Sequence, residues 1–170
     1  NQLGSPEAQI VVARRILEGL GLDPGAPPAT SVPIDPGLLT EPCRLLSIDE
    51  VADILGVAIT AATDQPGDAT YPIAGCQYDA ENGMVLPLTI TLSLGDAGRD
   101  EWAYQADPSS GTQPLDGLGD GAVWAAVDNG SGLDQPLVSL WVRAGDAVVR
   151  LGAGPTLDPA DFTMRALGTP

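Results

Sequence analysis

The stretch Cys43–Gly56, CRLLSIDEVADILG, together with Gly75–Tyr78, GCQY, contains both cysteines of the chain and its best-marked helix. Ser47 and Glu50 have the S-x-x-E spacing of a capping box, in which each side chain satisfies a backbone N–H at the start of a helix. Apolar residues three and four positions apart give this helix one face to bury, and Gly56 can end it. These residues are Ile48, Val51 and Leu55. The sequence therefore predicts a short amphipathic helix close to the first cysteine and a strand that carries the second.

Strand-like stretches occupy most of the remaining chain. Between Leu88 and Leu94, apolar side chains at every second position alternate with Thr and Ser, which is the period of a strand with one buried face. Gly145-Asp146 has the composition of a two-residue hairpin turn. The register of that hairpin places Trp141 opposite Arg150, where a cation–π contact can form. The predicted strands are residues 57–63, 75–79, 86–94, 122–127, 137–143 and 147–151.

Further helices are predicted at both ends and in the middle of the chain. Ser5-Pro6-Glu7 is a favourable helix start, and an apolar face follows it up to Gly21. Residues 96–106 are predicted to form a short acidic helix that carries Trp102. A closing helix should begin near Asp158, with Phe162 as its apolar anchor. The apolar face of the first helix consists of Ile10, Ala13, Leu17 and Leu20.

This order of elements predicts an α+β fold, an antiparallel β-sheet with helices packed on one face. Residues 43–170 should form the domain, preceded by an N-terminal helical arm (1–22) and a Pro-rich linker (23–42) without secondary structure. The arm could dock on the domain, pack against a second copy of the chain in a homodimer, or be what remains of a membrane tether.

The composition argues against several classes of function. Asp and Glu number 23 against seven cationic residues, all Arg, which gives a net charge of −16. Such a surface repels nucleic acids and anionic lipids. The chain has no His and no Lys, which removes the usual general base, the common zinc and haem ligands and the Schiff-base lysine. No apolar run approaches the roughly 18 residues of a membrane span.

Between Cys43 and Leu151 the chain resembles the DUF3558-like family of actinobacterial exported lipoproteins. The resemblance lies in Cys43, in the capped acidic helix that ends in Leu55-Gly56, and in Cys76-Gln77-Tyr78. A further likeness is Gly117–Ala122, GLGDGA, before a strand. It implies a bacterial, lipoprotein-like protein of the cell envelope or extracellular space, with a PsbP-like arrangement of sheet and helices and no known catalytic residues.

Cys43 and Cys76 are predicted to form one disulfide. An even cysteine count in an exported protein favours pairing, and neither residue belongs to a C-x-x-C motif. Two buried free thiols and a redox or nucleophilic role are the alternatives.

Acidic clusters are the candidates for a cation-binding or catalytic site. Asp96, Asp100 and Glu101, or Asp116 and Asp120, could surround a cation or serve as the acid and base of a glycosidase, and otherwise form a solvated acidic rim. Residues 128–134 resemble a calcium loop but place Ser139 where the bidentate Glu of an EF-hand should stand, so a hairpin loop is favoured.

Two other features could bind ligands. Gly117–Gly121 is Gly-rich but lacks the Lys of a phosphate-binding loop, which favours a tight turn before a strand. The three tryptophans could line a ligand face of the sheet, or fill a core that contains only one Phe. They are Trp102, Trp124 and Trp141.

The sequence therefore predicts a non-enzymatic secreted or envelope protein, a binding or scaffold module with an acidic surface. We expect no cofactor, no metal and no catalytic residue. Its partner would be a protein or a small apolar ligand. The alternatives are an aspartate-dependent hydrolase of envelope glycan or peptide and a calcium-stabilised surface protein.

Overall fold

A computed structural model describes residues 6–19, 35, 37–55, 57–81, 88–127 and 137–153. The helices are α1 (Pro6–Gly19), α2 (Gly37–Thr40), α3 (Ile48–Leu55) and α4 (Gly95–Gln105), with 3₁₀ turns at Pro42–Leu45 and Pro108–Ser110. The strands are β1 (Ile59–Gln65), β2 (Ile73–Ala80), β3 (Leu88–Ser93), β4 (Gln113–Leu115), β5 (Gly121–Val127), β6 (Leu137–Ala144) and β7 (Ala147–Ala153). The predicted α+β class is confirmed. Among these helices, none combines the length and the apolar character needed to cross a lipid bilayer.

All seven strands belong to one antiparallel sheet in the order β1-β2-β3-β7-β6-β5-β4. The β6–β7 hairpin turns at Gly145 and Asp146, as predicted, and Gly145 has the positive φ of 59° that this turn requires. Trp141 pairs with Arg150, whose guanidinium carbon lies 5.3 Å from the centre of the indole ring. The predicted cation–π contact is confirmed.

The capping box at the start of α3 is also confirmed. The backbone N–H of Glu50 donates to Ser47 Oγ over 3.2 Å, and the backbone N–H of Ser47 donates to Glu50 Oε2 over 2.9 Å. The bond from Ser47 N–H, together with a bond that Ser47 Oγ donates to Glu50 Oε2 over 2.8 Å, lowers the pKa of Glu50, because both stabilise its ionised carboxylate. Val51, on the predicted apolar face, is fully buried, whereas Ile48 is exposed.

The main core lies between the sheet and α1 and α3. Apolar residues of β3, β6 and β7 alternate onto this face because successive side chains of a strand point to opposite sides. α1 contributes four fully buried side chains, of which Val12 and Ile16 were not part of the predicted face. The core-facing residues of these elements are Val12, Ala13, Ile16, Leu17, Val51, Leu88, Ile90, Leu92, Leu140, Val142, Val149 and Leu151.

α4 departs from the predicted arrangement, because it packs on the opposite face of the sheet. There Trp102 covers a second apolar cluster made of Val123, Trp141 and Val148. β5, β6 and β7 carry apolar side chains at consecutive positions, so both of their faces must be covered. The expectation of helices on one face holds for α1 and α3 only.

The predicted linker contains an element that was not expected. Residues 37–40 form the single turn of α2, and Leu38 is buried in the main core. The Pro-containing edge strand β4 was also not predicted. Other predictions lie outside the described residues: the ends of the first and second helices at Leu20, Gly21 and Gly56, the loop 128–134 and the closing helix at 158–162.

Tyr78 provides a pH-dependent test of the core. Its hydroxyl is buried and donates to the carbonyl oxygen of Leu46 over 2.7 Å. Burial, together with the charges of Asp64 and Glu50, raises the pKa of Tyr78 well above its usual value of 10.0. A pKa raised on folding stabilises the protein below the unfolded-state value, and this stability is lost as the pH rises toward the folded-state value.

We therefore expect stability to fall above about pH 10, because buried Tyr78 resists ionisation. Tyr78→Phe should cost about 1–3 kcal/mol at neutral pH, since it leaves the Leu46 carbonyl unpaired, and should reduce the alkaline loss. Urea unfolding at pH 7, 9 and 11 measures both effects. Tyr104→Phe, at a residue that is 70% exposed, is the control. Identical pH profiles for the two variants would contradict the assignment.

Candidate functional site

Cys43 and Cys76 lie within disulfide-bonding distance, with their Sγ atoms 2.01 Å and their Cα atoms 4.9 Å apart. Cys43 belongs to the 3₁₀ turn before α3, and Cys76 belongs to β2, one strand in from the β1 edge rather than at the sheet centre. Cys76 is fully buried. Its burial fits a structural crosslink better than an accessible redox pair.

The three tryptophans do not share a face. Trp124 is buried in the main core, whereas Trp141 is buried on the other side of the sheet beneath α4, with Trp102 packed against it. Trp124 and Trp141 are only 4% and 3% exposed. They fill the two cores, so of the two predicted roles the structure supports core filling and not an exposed Trp-bearing ligand face.

The predicted acidic clusters have separate structural roles. Glu101 accepts hydrogen bonds from Ser93 Oγ at 2.5 Å and from Trp141 Nε1 at 3.1 Å, beneath α4. Asp120 Oδ2 accepts the backbone N–H of Gly145 at 2.6 Å, which ties the turn before β5 to the β6–β7 hairpin. Asp116 is exposed. Within the described ranges, no three acidic or cysteine side chains come close enough to hold a metal ion.

The segment Gly117–Gly121 is a tight turn that leads into β5, as predicted. Gly117 and Gly119 have positive φ angles of 83° and 54°. A Cβ on Gly119 would overlap the carbonyl oxygen of Arg143. Gly119 is explained by this close approach to β6, and Gly117 by its positive φ alone, since a Cβ there meets no atom within 4 Å.

A groove between α4 and the loop 66–72 is the strongest candidate site in the described chain. Its volume is about 520 Å³, within the range of small-molecule and peptide sites. Its partly buried apolar residues, Leu39, Pro72, Leu94 and Ala97, form what we call the floor, and its exposed polar residues, Thr70, Tyr71, Asp96 and Asp100, form the rim. The lining consists of Leu39, Ala69, Thr70, Tyr71, Pro72, Leu94, Gly95, Asp96, Ala97 and Asp100.

The loop on one side of the groove is fixed by its own hydrogen bonds. Asp68 Oδ1 accepts the backbone N–H groups of Thr70 and Tyr71 at 2.7 and 2.8 Å. The loop ends are tied by Gly67 N–H to the Leu39 carbonyl at 2.7 Å and by Leu94 N–H to the Pro72 carbonyl at 3.0 Å. A Cβ on Gly67 would overlap the Ile73 carbonyl, so this tight path requires glycine. The loop holds Tyr71 with its side chain 67% exposed.

α4, on the other side, is anchored through its inner face. Glu101 bonds to Ser93 and Trp141, as described above. Arg99 pairs with Asp96 one turn away and with Asp146 of the β6–β7 turn at 3.0 Å. Both carboxylates raise the pKa of Arg99 by stabilising its cation. Asp100 points outward and makes no hydrogen bond or ion pair with the rest of the described chain.

Gly98 determines how closely α4 approaches the sheet. A Cβ there would overlap the carbonyl oxygen of Asp146 and lie 2.6 Å from that of Ser93. Within a helix, alanine is more favourable than glycine by about 1 kcal/mol. At this position, however, the added methyl group would force α4 to move away from the sheet.

Gly98→Ala should therefore destabilise the protein by about 1–3 kcal/mol, measured by urea unfolding. The matched control is Gly152→Ala in β7, where a Cβ meets no atom within 4 Å. We expect that control to change stability by less than about 0.5 kcal/mol. A Gly98→Ala protein as stable as the wild type would contradict the close packing of α4.

No family model, curated protein or solved structure matches this chain. The resemblances to the DUF3558-like family and to the PsbP-like fold therefore stay predictions.

The exposed aromatic residue of the groove, Tyr71, was not identified from the sequence. The signal available was an aromatic residue inside the turn-rich segment 66–72, since an aromatic side chain in a polar loop often marks a binding surface. Asp96 and Asp100 were identified, but as possible cation ligands with Glu101. The structure separates them, because Glu101 faces the sheet while Asp96 and Asp100 lie on the groove.

Proposed function

We propose that this protein is a non-enzymatic binding module of the cell envelope or extracellular space, and that the α4 groove is its binding surface. The observation that carries the proposal is the exposed Tyr71 on a loop fixed by hydrogen bonds. An exposed aromatic ring does not contribute to the stability of the fold, whereas Tyr is enriched on surfaces where proteins bind partners. A loop ordered in advance also lowers the entropic cost of binding.

Export is supported by the cysteine pair and by the surface charge. Disulfides persist in oxidising compartments and are rare in the cytosol. A net charge of −16 favours solubility and disfavours association with nucleic acids and anionic lipids. The resemblance of Cys43–Gly56 and Cys76-Gln77-Tyr78 to exported lipoproteins points the same way.

The acidic residues support binding more than hydrolysis. A glycosidase needs two carboxyl groups about 5–10 Å apart across one substrate site. Asp120 is engaged with the Gly145 backbone, and Glu101 is engaged with Ser93 and Trp141. The groove carboxylates, Asp96 and Asp100, are exposed one turn apart on the same helix, and Asp96 is engaged with Arg99.

Site-specific photocrosslinking tests the binding proposal. A benzophenone amino acid at Thr70, on the groove rim, should give a discrete adduct in envelope preparations of the source organism. The same group at Asp53, exposed on α3 and away from the groove, should not. Adducts at both positions, or at neither, would count against a binding module at this groove.

A hydrolase screen tests the enzyme alternative. The wild type and the Asp116→Asn/Asp120→Asn double variant should both be inactive on envelope glycans and peptides. Activity in the wild type that is lost in the double variant would overturn the non-enzymatic proposal.

A further inference from the structure

We infer that the α4 groove binds an arginine-bearing peptide segment, which names a partner class for the binding function proposed above and rests on it. The groove offers two features that such a side chain needs, an apolar floor and an anionic aromatic rim. Arginine buries its aliphatic stem on apolar surface while its guanidinium stays at a polar edge.

The floor fits the stem. Leu39, Pro72, Leu94 and Ala97 supply partly buried side chains without charge. Thr70 adds only a hydroxyl at the rim. A compact, strongly hydrated metal ion gains nothing from such a floor, since calcium takes six to eight oxygen ligands.

The rim fits the guanidinium. Tyr71 presents an exposed ring, and arginine binds over aromatic faces by cation–π attraction. Asp100 supplies a carboxylate without an ion-pair partner in the described chain. Arg99, the cation closest in sequence, is already neutralised by Asp96 and Asp146, so it does not oppose a second cation.

The same contact already occurs inside this protein. Arg150 lies 5.3 Å from the centre of the Trp141 ring on the sheet, which shows the geometry that an incoming arginine could adopt on Tyr71. The overall charge of −16 adds long-range attraction for a basic partner, so association should weaken as salt is raised.

The volume sets the size of the occupant. About 520 Å³ exceeds one arginine side chain and accommodates a short peptide segment around it. The fixed loop and the anchored helix mean that the groove needs little rearrangement to receive it.

An NMR titration of the full isotope-labelled chain tests the inference. The probes are the capped tripeptide Gly-Arg-Gly, its neutral counterpart Gly-Gln-Gly, and N-acetylglucosamine. The arginine peptide should shift the backbone amides of Tyr71, Ala97 and Asp100 at millimolar concentration, and the other two probes should leave them unchanged. Binding should weaken at high salt.

Matched variants separate the groove from the overall charge. Asp100→Asn and Tyr71→Leu should each weaken binding of the arginine peptide about threefold to fivefold. Asp53→Asn makes the same change in net charge on exposed α3 and should change binding by less than about twofold. The spectra of each variant also report directly that it is folded.

Three outcomes would overturn the inference. They are an equal loss of binding in Asp100→Asn and Asp53→Asn, shifts of the groove amides by the sugar but not by the arginine peptide, and groove amides that do not respond to any probe. The crosslinking and hydrolase experiments are read independently. A Thr70 adduct without arginine binding would overturn this partner class and leave the binding module standing.

Discussion

Replacing both cysteines with alanine should lower the free energy of unfolding by about 3–4 kcal/mol. Cys43 and Cys76 are separated by 33 residues, and closing a loop of that length restricts the unfolded chain by about this amount in the loop-entropy treatment. The bond also joins the 3₁₀ turn before α3 to β2, so its loss removes the covalent connection between the start of that helix and the sheet. Urea unfolding of the wild type and the Cys43→Ala/Cys76→Ala variant measures the difference.

Reduction of the wild type provides the control. If the loss comes from the crosslink, the reduced wild type and the double alanine variant should have similar stabilities. Intact mass should rise by two hydrogens on reduction. Two alkylatable thiols in the untreated native protein would contradict the disulfide.

The parts of the fold that were predicted are those in which local pattern and tertiary burial agree. The Ser47–Glu50 capping box, the Leu88–Ser93 alternation and the Gly145-Asp146 turn each specify their structure within a few residues. The register of the β6–β7 hairpin follows directly from that turn. It was therefore possible to place Trp141 opposite Arg150 from the sequence alone.

The parts that were missed depend on contacts between distant segments. The consecutive apolar residues Leu140, Trp141 and Val142 indicate that both faces of β6 are covered, but not that α4 is the element that covers the Trp141 face. α2 is a single turn whose burial depends on Leu38 reaching the core. β4 contains a proline and only three residues, so it forms a strand only because β5 offers it an edge.

The candidate site was predicted only in part for the same reason. The sequence shows that Asp96, Asp100 and Glu101 form an acidic cluster, but it does not show which of these carboxylates face the sheet. The sequence places Tyr71 in a turn-rich segment and Tyr78 on a strand, but only the fold shows that the first is exposed on a fixed loop beside α4 and that the second is buried, with its hydroxyl bonded to the Leu46 carbonyl.

The anchoring of the N-terminal helix can be tested at Ile16, which is fully buried in the main core, where α1 contacts α3, β6 and β7. Ile16→Ala should lower the free energy of unfolding by about 2–5 kcal/mol, because it leaves a cavity between α1 and the sheet. Val11→Ala is the matched control on the same helix, at a side chain that is 45% exposed, and should cost less than about 0.5 kcal/mol. The sequence left open that this helix packs against a second copy of the chain. In that case the loss would depend on protein concentration, and sedimentation would show a dimer. Equal, small effects of the two substitutions would mean that α1 does not contribute to the core.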